Sequence, residues 1–172
     1  MDEGIGEPTV VELPSRTLAG LSFFGNPFTS HAGWTEENEI GRLWQRFRAY
    51  VETQPEWLSS AVDGLGYEVH VVGPEMAASG EFECFVGAEL AVPTALPIEV
   101  SAKAVPGGRF ARFTVPGNLL ATDMQMHIAI WLEEHDYDSA IPFDVVVYDE
   151  RFHGMDRLDE SVVEILVPLI ER

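Results

Sequence analysis

The sequence predicts an α+β fold built from two similar halves, about residues 7–92 and 97–170 of a single 172-residue domain. Each half carries the order strand-strand-helix-strand-strand, with antiparallel sheets and pseudo-twofold symmetry. Three observations predict this. Short β-branched runs bounded by Gly, Pro and Asn outnumber helical stretches. Two amphipathic helical patterns occur, one in each half. Local echoes recur at matching places: Leu21-Ser22-Phe23-Phe24-Gly25-Asn26 against Phe113-Thr114-Val115-Pro116-Gly117-Asn118, and Tyr67-Glu68-Val69 against Phe143-Asp144-Val145. Each half alone is too small to cover its sheet, so joining the two buries faces and edges.

The elements follow in order. Thr9–Leu13 is β-branched, and after Pro14-Ser15 the run Arg16–Phe24 resumes, so the pair reads as a hairpin or a bent strand. Thr35 is placed to cap the first helix, with Glu36, Glu37 and Glu39 at the positive end of its dipole. Ile40, Leu43, Trp44, Phe47 and Val51 recur at spacings of three and four, which makes one apolar stripe, and Pro55 ends it. Tyr67–Val72 and Phe82–Val92 are strands, the second closed by Pro93. Ile98–Val105 and Arg109–Val115 flank the turn Pro106-Gly107-Gly108. A second helix covers about Leu119 to His135, with Leu120, Met124, Ile128, Trp131 and Leu132 as its stripe. Phe143–Tyr148 and Val162–Leu169 are the closing strands.

Composition narrows function. Asp and Glu outnumber Lys and Arg by 29 to 10, a formal charge of −19. Such a surface repels phosphate backbones and anionic membranes, so neither nucleic acid nor membrane is an expected partner. It attracts cations, and a basic protein partner is compatible with it. The single cysteine, Cys84, reads as a packed small hydrophobe. The N-terminus lacks the apolar core of a signal peptide, and no stretch reaches membrane-spanning length, so the expected location is the cytoplasm.

Several chemistries lack their motifs. There is no glycine-rich phosphate loop, no nucleophile elbow, no Cys-x-x-Cys and no His-Glu-x-x-His. No cofactor, metal or catalytic residue is assigned. What remains is aromatic side chains and acids within apolar strands. Trp44, Trp131, Tyr67, Phe85, Phe113 and Tyr148 all lie in periodic elements. Glu89 shares a face with Phe85 and Gly87, and Glu164 interrupts Val162–Leu166. These eight residues are the expected ligand-binding set, with Glu89 the leading interior acid and Glu164 the second. An acid at the bottom of an aromatic cleft suits lipophilic cations, through charge neutralisation and cation–π contact.

Leu43-Trp44-Gln45-Arg46-Phe47, Tyr67-Glu68-Val69-His70, Phe82 to Glu89, Gly108 to Phe113 with Pro116-Gly117, Ile130-Trp131-Leu132, Tyr148 to Phe152 and Glu164 to Pro168 run in order over nearly the whole chain. Together they resemble the GyrI-like effector-binding domains, which include the ligand-sensing halves of multidrug-responsive regulators and stand-alone integron-associated proteins. The resemblance implies a duplicated α+β fold, a ligand groove between the halves, aromatic walls and an acid inside. It implies a drug or toxin sink or sensor for amphipathic aromatic or cationic compounds, without an attached DNA-binding segment. Hydrolysis of reactive cyclopropane-type toxins and inhibition of a basic enzyme, as by gyrase-inhibitory relatives, are the alternatives. Relatives often carry a phenylalanine-glutamate pair where this chain has Val145-Val146. Asp144 is expected to stand in for that glutamate only if its strand bulges.

Overall fold

A computed structural model describes residues 4–58, 61, 64–92, 94–139 and 143–172. The strands are β1 Thr9–Leu13, β2 Arg16–Gly25, β3 Gly66–Val71, β4 Phe82–Leu90, β5 Ser101–Val105, β6 Gly108–Pro116, β7 Tyr137–Ser139, β8 Phe143–Tyr148 and β9 Val162–Glu171. The helices are α1 Glu39–Thr53, α2 Glu75–Ser79 and α3 Met124–Glu134, with short 3-10 turns at Pro55–Leu58, Gly117–Leu119 and Met155–Glu160. This is the expected α+β class, with a large antiparallel sheet and few helices. Pro93, expected to close β4, lies outside the described residues.

The sheet runs β1-β6-β9-β8-β3-β4-β2-β5, and β7 adds to β9. Exchanging β1 with β5, β6 with β2, β9 with β4 and β8 with β3 leaves that order unchanged. A pseudo-twofold axis between β3 and β8 would generate such an order, and superposition of the two halves is the expectation it supports.

The proposed β1–β2 hairpin does not form. β1 pairs with β6, while β2 pairs with β4 and β5. The covalent link explains the shape that results. β1 and β2 stand six strand spacings apart in the sheet, roughly 29 Å if it were flat. Pro14-Ser15 can span at most ~11 Å. The sheet therefore curls until its ends meet, and Pro106-Gly107 makes the same link from β5 to β6. A Cβ on Gly107 would lie 2.6 Å from the Ser15 backbone nitrogen, so the two turns touch and only glycine fits there.

Curling buries the inner face around Leu18, Tyr67, Val69, Phe85, Phe110, Val145 and Leu166. On the outer face α1 covers Ala19, Leu21, Cys84 and Val86 through Leu43 and Phe47. α3 covers Phe113, Val146, Val163 and Ile165 through Met124, Ile128 and Trp131. The first helix starts later than expected. Its cap is Asn38, whose side chain accepts from Gly41 N at 3.0 Å and donates to Gly33 O at 2.8 Å, while Thr35 accepts from Glu37 N in the preceding loop. Likewise α3 begins only after Asp123, which accepts from Met126 N. Leu119 ends the 3-10 turn before it, and Leu120 caps that turn.

Cys84 shows what this burial does to chemistry. It is fully buried, and burial pushes its thiol pKa up to about 11 despite a hydrogen bond with His70. The reactive thiolate is therefore scarce at pH 8. Iodoacetamide at pH 8 is expected to leave the native protein unlabelled over an hour and to alkylate it fully in urea. Rapid stoichiometric labelling of the native state would contradict the packing described.

Candidate functional site

One row of residues crosses the outer face of the sheet. Its registers run Leu21↔Val86, Val86↔Glu68, Glu68↔Val146, Val146↔Ile165 and Ile165↔Phe113. Five members are apolar, and Glu68, at the centre, is the exception. The residue is only 2% exposed. Three donors converge on it: Trp44 Nε1 at 2.7 Å and Tyr148 Oη at 3.1 Å to Oε2, and His70 Nε2 at 2.6 Å to Oε1. Satisfying a buried carboxylate in this way is what makes its burial tolerable.

Local sequence sets up each donor. Trp44 lies at the edge of the α1 stripe, so the helix packs through Leu43 and Phe47 while this ring leans over the sheet. Gly66 makes room for it: a Cβ there would sit 3.1 Å from the Trp44 ring. Tyr148 pairs with Gly66 across β3 and β8, and its ring meets Trp44 edge-on at 5.3 Å, Phe152 at 4.8 Å and Trp34 at 6.2 Å. Burial, then the Glu68 charge, holds the Tyr148 hydroxyl well above its ordinary pKa, so it stays a donor.

These groups floor a cavity of about 1010 Å³ over the β3–β8 junction. α1 and the loop before it form one wall, through Trp34, Ile40 and Trp44. The start of α3 and the segment before it form another, through Met124 and Leu120. Phe82 and Phe152 complete the aromatic lining. The volume is that of a drug-sized site, mostly apolar with a few placed polar groups.

The expected site residues divide. Trp44 and Tyr148 line the cavity. Tyr67, Phe85 and Glu89 sit on the inner face of the curled sheet. There Glu89 accepts from the Tyr67 hydroxyl at 3.0 Å, and Arg16 donates to that hydroxyl oxygen of Tyr67 at 3.1 Å. Burial, partly offset by Arg16, pushes the Tyr67 pKa up to about 12. Phe113 is on the cavity's side of the sheet but is covered by α3 through Trp131: their rings meet edge-on at 5.7 Å, and Trp131 Nε1 donates to Glu7 at 2.9 Å. Glu164 faces the other way and binds Arg151 at 2.9 Å and Arg112 at 3.5 Å. The interior acid of this cavity is thus Glu68, not Glu89 or Glu164. Phe85, Phe113, Tyr67 and Trp131 are core rather than wall.

Asp144 also lines the cavity, and no bulge is needed for it. β3 and β8 pair in unbroken register, with Asp144 opposite His70 and Val146 opposite Glu68. Asp144 and Val146 are two residues apart and share a face. The residue directly opposite Val146 on the neighbouring strand is itself a carboxylate, Glu68. Trp34, Glu68, His70, Phe82 and Phe152 were among the lining residues missed. Glu68 stood in the Tyr67-Glu68-Val69 echo, and the available signal was an acid flanked by Tyr and Val inside a strand.

Glu68, His70 and Cys84 offer nitrogen, sulfur and oxygen atoms within 4.8 Å of one another. However, His70 Nε2 and Glu68 Oε1 are already in direct hydrogen-bond contact, so the group is closed on itself.

The sequence model of the GyrI-like small molecule binding domain family matches residues 6–170. Among solved structures, an integron cassette protein from the mobile metagenome of Vibrio cholerae is similar at 17% identity and TM-score 0.57, over 96% of this chain and 97% of that one. SAV2435 bound to tetraphenylphosphonium is similar at 14% identity and TM-score 0.64, over 96% and 94%. EcmrR, in a complex with DNA, is similar at 13% identity and TM-score 0.63, over 96% of this chain and 58% of that one. No curated protein matches. At these identities the structures speak to the fold.

Proposed function

The chain belongs to the GyrI-like small molecule binding domain family, and from that premise we propose that its cavity binds lipophilic organic cations, as a sink or a sensor. The observation that carries this reading is Glu68, an acidic residue 2% exposed on the floor of a cavity walled by Trp34, Trp44, Tyr148 and Phe152. A flat aromatic cation gains from the ring faces and from a carboxylate whose field water does not screen. That SAV2435 was solved with tetraphenylphosphonium, a lipophilic organic cation, supports the same chemistry here. Among the described residues no helix is long and apolar enough to cross a membrane.

A fluorescent rhodamine-type monocation is expected to bind saturably at one site per chain and to quench tryptophan emission. The net charge of −19 offers a rival explanation, loose surface attraction. Salt separates the two, because exposed charges are screened within about 8–10 Å at 0.1–0.15 M salt and a buried pair much less. Binding is expected to persist at 0.5 M NaCl. Dye that is lost entirely at that salt, or never saturates, would rule out the cavity as its site.

A further inference from the structure

Next to the row that holds Glu68 runs a second one: Phe23↔Cys84, Cys84↔His70 and His70↔Asp144. His70 therefore stands between two carboxylates. Its Nε2 is 2.6 Å from Glu68 and its Nδ1 is 3.0 Å from Asp144, the latter an ion pair rather than an aligned hydrogen bond. An imidazole facing a carboxylate on each nitrogen needs a proton on both, which is the imidazolium form. Side-chain exposures of 3% for Glu68, 15% for Asp144 and 19% for His70 keep this group largely out of water. Burial opposes the charged ring, but Asp144 and the hydrogen bonds around it outweigh burial and lift the histidine well above its ordinary range.

The other charged and titratable groups at the cavity are accounted for. Arg48 of α1 pairs with Glu36 at 3.5 Å. Asp123, which caps α3, and Asp156, in the turn after β8, also line the cavity, but both are solvent-exposed carboxylates at its rim, where water screens their charge. Cys84 and Tyr148 are both held neutral at ordinary pH. The floor is thus two carboxylates and one internal cation, a net charge of −1.

We propose that His70 is the specificity-determining residue of this cavity: as an internal cation it leaves one net negative charge on the floor, and so selects singly charged organic cations over doubly charged ones. This rests on the reading of the cavity as a cation site. The physical reason is the different growth of two costs. Desolvation of an ion rises with the square of its charge, while attraction to the floor rises only linearly. A dication would have one charge that the buried floor does not compensate, unless His70 gave up its proton.

The test uses a triarylmethane monocation and its bis-cationic homologue, titrated into wild type, His70→Gln and His70→Lys. Wild type is expected to favour the monocation. His70→Gln should move the ratio of affinities toward the dication by about tenfold or more, the effect of removing a unit charge a few ångströms away at reduced dielectric. His70→Lys, a fixed cation, should keep the wild-type preference. Near-UV circular dichroism checks that each variant is folded. If His70→Gln does not fold, the wild-type ratio measured from pH 6 to 10 decides, because it must shift toward the dication as His70 loses its proton. An unchanged ratio in folded His70→Gln, or a ratio flat with pH, overturns the assignment while leaving the cation site standing. Failure of both dyes to bind wild type overturns both.

Discussion

Replacing Phe113 with alanine is expected to destabilise the protein by about 3–5 kcal/mol, the range for truncating a fully buried ring that neighbours cannot replace. Phe113 is 0% exposed and ends the row that begins at Leu21. Trp131 meets it edge-on at 5.7 Å and His127 at 6.2 Å, both from α3. Those rings are held from above by the helix and from below by β6 and β9, so the space left cannot collapse. Urea denaturation followed by circular dichroism reads the effect, as a lower midpoint with an unchanged slope. The same variant separates core from wall. Phe113 does not line the cavity, so dye affinity of the folded variant should stay within about twofold of wild type. A loss under ~1 kcal/mol would mean that α3 does not pack as described.

Glu68→Gln is expected to weaken binding of a lipophilic monocation by ~1–3 kcal/mol, about 5- to 150-fold, because a desolvated ionic partner is lost. The substitution keeps the size of the side chain and one carbonyl oxygen. Trp44, Tyr148 and His70, which now share two carboxylate oxygens, would compete for that single acceptor. Neutral aromatic ligands should bind almost as before. Glu89→Gln is the internal control: Glu89 accepts from Tyr67 on the other face of the sheet and should leave dye affinity unchanged. Equal affinity in folded Glu68→Gln, or a loss confined to Glu89→Gln, would move the acid elsewhere.

Much of this protein was legible in its sequence. The β-branched runs, the apolar stripes of α1 and α3 and the Gly, Pro and Asn boundaries located the main elements, because local periodicity is a property of the chain itself. The family resemblance was equally legible, since its segments run in order along the chain. Short elements were not: α2, β7 and the 3-10 turns contain too few residues to show a period.

What only the tertiary structure decided is which face of each strand looks into the cavity. Alternation states that Glu68 and His70 share one side of β3 and that Tyr67 and Val69 share the other. It does not state which side the helices cover. In most antiparallel sheets the polar side is the wet side, and the pattern carries its own sign. Here two-residue links force the sheet to curl, so its inner face is buried by its own ends and its outer face by α1 and α3. Both sides of β3 and β4 are therefore buried or half-buried, and the sign is lost. Tyr67, Phe85 and Glu89 form one consistent face, and Gly66, Glu68 and His70 form another. The sequence alone determined both sets, and the curl decided that the cavity lies over the second.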